Sequence, residues 1–310
     1  MNPMIKVRQI DNLSLCRGIW ERFWPVESVF DLWEVREAFH RAFQHPCCFL
    51  VAEEGGDTIG LLALSWVEEI GRFCHFPGEI WKGKTWLEQN KIPCAIPGVK
   101  DQLIGSIPGP AHVRYLVKGA ADPARLPVKE DEIGYLFFPS AYGYSFDAYF
   151  RSFPGKKRKK FEAELAGLEA MGVSYNYDIT PKAFDNLFQM NMARYGEYSY
   201  FYDSRFLTAF KNFLEFLMKK GFLRVTSVSI GGTLAAIDVG AVVDGNYTVL
   251  GGGASALFPG VAKLINFHHL KAACENRFAQ VDFLCGDFGW KERFLFTPRP
   301  LYEFFIDHDA

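Results

Sequence analysis

Apolar residues recur along this chain with two periods, and the changes between them mark its elements. Residues 13–43 follow helical spacing, with Leu32, Val35, Phe39 and Phe43 on one face and Pro25 dividing the stretch into two helices. The opening IKVRQI is strand-like, and after His45-Pro46 the segments FLVA, EEGGDT and IGLLALSWVEE read as strand, turn and strand. A passage rich in Gly, Pro and Trp leads to a helix near residues 99–104 and a strand at IGYLFF. Then come a charged helix (GKKRKKFEAELAGLEAMG), a strand (VSYNYDI), a helix (PKAFDNLFQMNMARYG), an aromatic loop (EYSYFYDS) and an amphipathic helix (RFLTAFKNFLEFLMKKG). The last stretch reads strand LRVTSVSI, turn GG, strand TLAAIDVGAVV, turn DGN, strand YTVL, a glycine run, a helix opening at FPGVAKL, strand VDFL and the loop CGDFGWKERF.

One order occurs twice. An amphipathic helix, a strand, a GG turn and a second strand lead into GGDTIGLLAL at residues 55–64 and again into GGTLAAIDV at 231–239, which points to an internal repeat. With 310 residues the chain exceeds the usual single-domain size, so two domains are expected, divided near 149–154. We take them as 1–152 and 153–310, each an α/β domain with a mixed sheet.

Composition narrows the class. Thirty Phe, 13 Tyr and 7 Trp supply two large cores and exclude a disordered chain. A net charge of -2 excludes a bulk electrostatic partner such as nucleic acid or an anionic membrane, though a local basic patch remains open. Seven cysteines without a C-x-x-C pair suggest neither a disulfide framework nor a metal site, and fit a cytoplasmic protein. The first residues carry no apolar export core, and no uncharged run reaches the roughly 18 residues of a membrane span.

Candidate chemistry concentrates after residue 223. Glycines let a ligand approach backbone, and the first amides of a helix have no internal partners, so a pyrophosphate would fit against Gly260, Val261, Ala262 and Lys263. The same run read alone is equally a glycine-rich strand end with no ligand. Asp238 shares a strand face with Leu234, Ala236 and Gly240, where a carboxylate must be paired or line a cleft. It is a candidate for orienting an amine or for base work, or else a salt-bridged core residue. On the following helix Val261, Leu264, Ile265 and His268 form one face, which sends His268 toward the sheet with His269 beside it. Cys285 reads as a buried thiol. Asp287, Trp290 and Lys291 follow a strand end, where Lys291 would meet a carboxylate or phosphate. Lys156, Lys157, Arg158, Lys159 and Lys160 open a helix against its dipole, and read either as a solvated face or as the seat of an anionic partner.

The basic helix KKRKK, the hairpin GGTLAAIDVG, the helix start LFPGVAKL and the closing VDFLCGDFGWK together make residues 153–294 resemble the acyltransferase domain of the GNAT superfamily. The branch is that of cellulose-biosynthesis acetyltransferase-like proteins, similar to the Fem-type aminoacyl transferases of peptidoglycan. That resemblance implies tandem GNAT-like domains, with the first, 1–152, degenerate and on the acceptor side and the second, 153–310, holding the acyl donor. It implies a strand that splays from its neighbour, a donor pyrophosphate on Gly260 to Lys263, and Lys291 as the lysine of the closing motif. The reaction is then acyl transfer from acyl-CoA, acetyl-CoA foremost, to an amine, with no metal. A charged tRNA donor held by KKRKK and a non-catalytic binding protein are the alternatives. Backbone amides of Gly251, Gly252 and Gly253 would polarise the donor carbonyl, Asp238 or Asp287 would deprotonate the amine, and Tyr247 would protonate the leaving thiolate. Trp290, Lys291, Tyr200 and Tyr202 would contact the acceptor. Departures from the family pattern are Trp290 in place of the commoner Tyr, a donor loop without R/Q-x-x-G-x-G/A, and a first half without a clear phosphate loop.

Overall fold

Local signals set the helix starts. Asn12 accepts a hydrogen bond from the Leu15 amide (3.1 Å), Ser145 from Ala148 and Thr180 from Ala183 (both 3.2 Å), each satisfying a donor that the first turn leaves unpaired. The computed structural model describes residues 5–119, 128–286 and 289–307. Its elements in chain order are β1 (Lys6–Ile10), α1 (Leu13–Phe23), α2 (Trp33–Phe43), β2 (Cys47–Glu54), β3 (Asp57–Val67), β4 (Arg72–His75), α3 (Val99–Gly105), β5 (Ala111–Leu116), β6 (Lys129–Phe137) and α4 (Phe146–Arg151). They continue as α5 (Gly155–Glu169), β7 (Val173–Asn176), α6 (Pro181–Tyr195), α7 (Ser204–Lys219), β8 (Leu223–Ile230), β9 (Thr233–Val243), β10 (Asn246–Ala254), α8 (Val261–Glu275), β11 (Gln280–Asp282) and β12 (Thr297–Ile306).

Four boundaries differ from the pattern reading. β10 runs on through the glycines to Ala254, because its pairing with β9 continues as far as Ala254 opposite Ala236. β11, Gln280–Asp282, keeps only Val281 and Asp282 of the expected VDFL. β4 lies in the passage read as a connection, and β12 follows the last element expected. Pro298 and Pro300 hide β12 from a pattern search, since proline demotes a strand signal.

The chain forms two compact units, one of Met1–Ile133, Arg205–Phe216 and Pro300–Ala310, the other of Gly134–Ser204 and Leu217–Arg299. The expected break at 152 and 153 falls inside the second, between α4 and α5. Within the first unit the strands run β1-β2-β3-β4-β5-β12, antiparallel except for the parallel β4–β5 step. Within the second they run β7-β8-β9-β10-β11-β6, again antiparallel except for the parallel β10–β11 step. Each sheet thus has one pattern of directions, and each takes its sixth strand from the other half of the chain.

The repeat extends to fine detail. Gly55 and Gly56 turn with φ of 64° and 97°, and Gly231 and Gly232 with 56° and 79°, the paired positive values of a tight hairpin turn. Three residues after the second glycine each hairpin carries a bulge, with Ile59 skipped in the β2–β3 register and Ala235 skipped in the β8–β9 register. Both crossover helices open at Pro-Gly-Val, with Gly98 at φ 84° before α3 and Gly260 at φ 94° before α8. The Pro-Gly helix start thus recurs in the first half, there on a helix of seven residues.

Each unit packs its own core. In the first, Trp20, Trp24, Trp33, Phe49 and Phe76 close over one face of the sheet, while Val99, Leu103 and Ile104 of α3 pack with Leu62 and Leu64. In the second, Val261, Leu264 and Ile265 of α8 pack with Val228, Ile230 and Ala236, fixing α8 against β8 and β9.

Candidate functional site

The site grows from the place where two parallel strands part. β10 pairs with β11 from Asn246 opposite Gln280 to Thr248 opposite Asp282. From there β10 stays with β9, bulging at Leu250 between the Val249–Gly240 and Gly251–Val239 pairs. The chain beyond β11 stays with β6, where Phe283 donates to the Tyr135 carbonyl (3.0 Å) and Tyr135 donates to that of Leu284 (3.3 Å). The Asp282 carboxylate anchors this second arm by taking Arg299 through both oxygens (2.7 and 3.3 Å) and the Leu284 amide (2.8 Å). Two strands held by different neighbours leave an opening between them, bordered by the glycines of β10.

Those glycines answer to the protein on both faces. A Cβ on Gly252 would overlap Asp238 Oδ1 and lie 3.0 Å from its Cγ. On Gly253 it would meet Met190 Cβ at 2.6 Å and the Asn191 amide nitrogen at 3.2 Å, so α6 approaches there. Asn191 also donates to the Gly252 carbonyl (2.7 Å) and accepts from the Ser199 hydroxyl (2.7 Å), tying the aromatic loop to the strand.

On the α8 side of β9 and β10, three polar side chains form a row. Asp238 (8 % exposed) accepts a hydrogen bond at Oδ2 from His269 Nε2 (2.9 Å), and His269 Nδ1 accepts from the Tyr247 hydroxyl (3.3 Å). A carboxylate can only accept, so the network assigns the imidazole proton to Nε2. Burial, then the Asp238 charge, raises the Tyr247 phenol well above its ordinary value, so it stays protonated and donates. Gly240 makes room for this row, since a Cβ there would overlap the Tyr247 ring and come within 2.6 Å of the Thr248 carbonyl.

His269 is the residue the periodicity misplaced. It is 2 % exposed and faces the sheet, while His268, expected there, points away, stacked on Tyr175 (4.1 Å between centroids) and bonded to the Tyr177 hydroxyl (3.1 Å). Burial, chiefly, pushes His268 down to about 4. The sheet-facing row of α8 is Val261, Ile265, His269 and Ala273 at intervals of four, and the buried Phe267 and Leu270 show the helix covered on other sides too, which blurs a one-face pattern.

At the start of α8 the amides of Val261 and Lys263 bond to the carbonyls of Phe258 (3.1 Å) and Gly260 (2.9 Å). Gly260 and Ala262 are exposed, beside a groove of about 300 Å³ lined by Ala163, Leu168, Met171, Leu257 and Pro259. The Lys263 ammonium, expected on a phosphate, pairs instead with Glu164 of α5 over the Phe161 ring (5.0 Å). On α5, Lys157 donates to the Arg293 carbonyl between the Phe153 and Phe161 rings, and Arg158 reaches the Arg151 carbonyl (3.3 Å) and Glu162 (3.8 Å). Lys156, Lys159 and Lys160 are exposed, the last 3.9 Å from Glu164.

The closing loop is built differently from its expectation. Lys291 is 4 % exposed and donates to the carbonyls of Leu284 (2.9 Å) and Cys285 (2.7 Å), with the Tyr135 ring 5.6 Å away, so its charge secures the arm beyond β11. Trp290 packs edge-on against Phe283 and Phe294 (5.9 and 5.4 Å). Tyr202 is exposed and Tyr200 half-buried in the loop after α6. Asp287 lies outside the described residues. Among the described residues no group of three or more His, Cys, Asp or Glu side chains is placed to hold a metal ion.

The second unit has a bulged strand that parts from its parallel neighbour, followed by a crossover helix opening at Pro-Gly, and the first unit repeats the strand order and the Pro-Gly helix start in the same mixed α/β class. Residues 155–292 match the family model described as acetyltransferase (GNAT) domain, and this part of the chain is a GNAT domain. The chain is similar in structure to FemX, with a TM-score of 0.59 at 10% identity over 97% of this chain and 98% of that one. A tandem GNAT protein from the clavulanic acid biosynthesis pathway gives a TM-score of 0.52 at 12% identity, covering 99% of this chain and 100% of that one. The C-terminal domain of a putative lysylphosphatidylglycerol synthetase from Agrobacterium fabrum gives 0.57 at 10% identity, with 95% and 93% covered. No curated protein matches the sequence.

Proposed function

We propose that the protein is an N-acyltransferase that moves an acyl group from acyl-CoA, acetyl-CoA foremost, to an amine. The observation that carries this reading is the opening between β10 and β11 beside the start of α8, inside the segment that matches a GNAT domain. The amine nitrogen attacks the thioester carbonyl, the C–S bond breaks, and the thiolate leaves as the amide forms. In this reading the donor pyrophosphate rests on Gly260, Val261, Ala262 and Lys263, and backbone at Gly251, Gly252 and Gly253 faces the carbonyl. Asp238 orients the amine and takes its proton, with Asp287 the alternative base. Tyr247, buried with its hydroxyl donating to His269 Nδ1, supports that histidine and is a proton source for the thiolate only through it. Tyr200 and Tyr202 are the proposed acceptor contacts, and Trp290 and Lys291 frame the closing loop. The unit of Gly134–Ser204 and Leu217–Arg299 is the proposed donor domain, in place of the expected 153–310, and the other unit the acceptor domain, in place of 1–152. Free thiols at all seven cysteines support a reducing, cytoplasmic setting.

Calorimetric titration with acetyl-CoA, followed by thiol release in the presence of an amine panel, tests the reading. Heat and amine-dependent thiol release are expected; no heat with either acetyl-CoA or a long-chain acyl-CoA refutes it, and heat without turnover makes the protein a binding module. A second reading, transfer from an aminoacyl-tRNA, is favoured by the exposed Lys156, Lys159 and Lys160 on α5 and by the likeness to FemX. It requires tRNA affinity that falls steeply with salt and is lost in Lys156→Ala/Lys159→Ala/Lys160→Ala while acetyl-CoA binding is unchanged.

A further inference from the structure

The polar row beneath β10 is not demanded by the fold. Counted from the second glycine of each hairpin turn, Asp238 and Gly240 of the second unit stand where the first unit has Leu62 and Leu64. Both leucines are fully buried in the core that α3 covers. One copy fills these positions with hydrocarbon, whereas the other sets a carboxylate and an imidazole under its crossover helix. It also clears two backbone positions, Gly240 for the Tyr247 ring and Gly252 for the carboxylate. Glycine in a strand interior costs about 0.5–1 kcal/mol each time, so stability alone would favour the leucine solution.

We propose that His269 is a positioning residue for Asp238, holding its carboxylate by Oδ2 and turned so that Oδ1 lies over Gly252. This rests on the reading of Asp238 as the residue that handles the amine. The groups facing His269 are Asp238 from β9, Tyr247 from β10 and its helix neighbour His268, whose ring centroid is 6.3 Å away. Arg224 of β8 acts on the same Tyr247. The Nε2–H bond fixes the rotation of the carboxylate by holding one of its two oxygens. It occupies Oδ2 alone and leaves Oδ1 at the bulged part of β10, next to the opening. Tyr247 donates to Nδ1 and thereby fixes the tautomer that donates to Asp238.

Two measurements on the full chain test this. In ¹⁵N-detected histidine spectra His269 is expected as the Nε2–H tautomer, and its Nε2–H signal should shift in Asp238→Ala, where that bond loses its acceptor. An Nδ1–H tautomer, or an Nε2–H signal that Asp238→Ala leaves unmoved, overturns the proposal. In turnover with acetyl-CoA and an amine found in the panel, His269→Leu should lower kcat at least about tenfold with the KM for acetyl-CoA nearly unchanged. His269→Gln, whose side-chain amide can donate to Oδ2, should recover most of that loss, and Asp238→Asn/His269→Leu should be no slower than Asp238→Asn. Additive losses, or a KM that rises with the fall in kcat, overturn it. Absence of turnover in the unaltered protein, with His269 still sensitive to Asp238, refutes the acyltransferase reading and the catalytic part of this role with it.

Discussion

Gly252→Ala is the sharpest test of the packing beneath β10. The added methyl would overlap Asp238 Oδ1, and this carboxylate is held at its other oxygen by His269 at 2.9 Å. The side chain is short and pinned, so relief requires breaking that bond or moving β10 against β9. Losing a hydrogen bond to a charged group removes about 1.5–3 kcal/mol, and overpacking adds about 1–3 kcal/mol. Gly252 lies outside the positive-φ region, so alanine returns about 0.4–1 kcal/mol by restricting the unfolded chain. The net loss is about 1.5–5.5 kcal/mol, or a fall in Tm of roughly 3–20 °C for a unit of this size. Scanning calorimetry reads it. Gly167→Ala on α5, where a Cβ meets nothing within 4 Å, should instead raise stability by about 0.5–1 kcal/mol. Gly252→Ala/Asp238→Ala should be more stable than the two single changes predict, since the second removes what the first strikes. A Gly252→Ala protein that melts within about 2 °C of the parent would refute the geometry of the row.

Other outcomes follow from the same contacts. Gly260→Asp, which adds a side chain and a negative charge at the α8 start in a left-handed position, should weaken acetyl-CoA binding at least about tenfold by calorimetry, and unchanged affinity removes the cradle assignment. Arg299→Ala strips the partner from the nearly inaccessible Asp282 carboxylate and should cost about 3–5 kcal/mol in urea unfolding. His75, buried at the end of β4 with Nδ1 3.1 Å from the Phe76 carbonyl, is pushed down to about 3 by burial and then by Arg36. Below the ordinary value of 6.5 the unfolded chain gains a proton there that the folded chain refuses, so stability falls as pH drops. The stability advantage of the parent over His75→Asn should therefore shrink by up to about 1.4 kcal/mol per pH unit between pH 6.5 and 5, and a constant difference would show that His75 is not held neutral.

Much of the fold was legible because its signals are local. The GG turns, the capping side chains and the Pro-Gly helix starts each act through backbone geometry within a few residues, so the hairpins and crossover helices stand where the pattern put them. β4 and β12 were not legible, the one for want of length and the other because of its prolines. The candidate site was legible in part. Asp238 drew attention as a carboxylate on an apolar strand face, and it is indeed buried and paired. Its partner was missed by one residue, since 100° of helix rotation separates His268 from His269 and the sequence does not say which row meets the sheet.

By itself the sequence determined that this chain is a mixed α/β repeat with a glycine-bordered strand before a Pro-Gly helix start. Tertiary structure decided what those features do. It turned Lys291 from an open loop into the interior, where its ammonium holds two carbonyls, and set Asp238, His269 and Tyr247 in one row. It also parted β10 from β11 by giving each a different neighbour. These are pairings between residues far apart in the chain, chosen by which surfaces exclude water together, and no local periodicity records them.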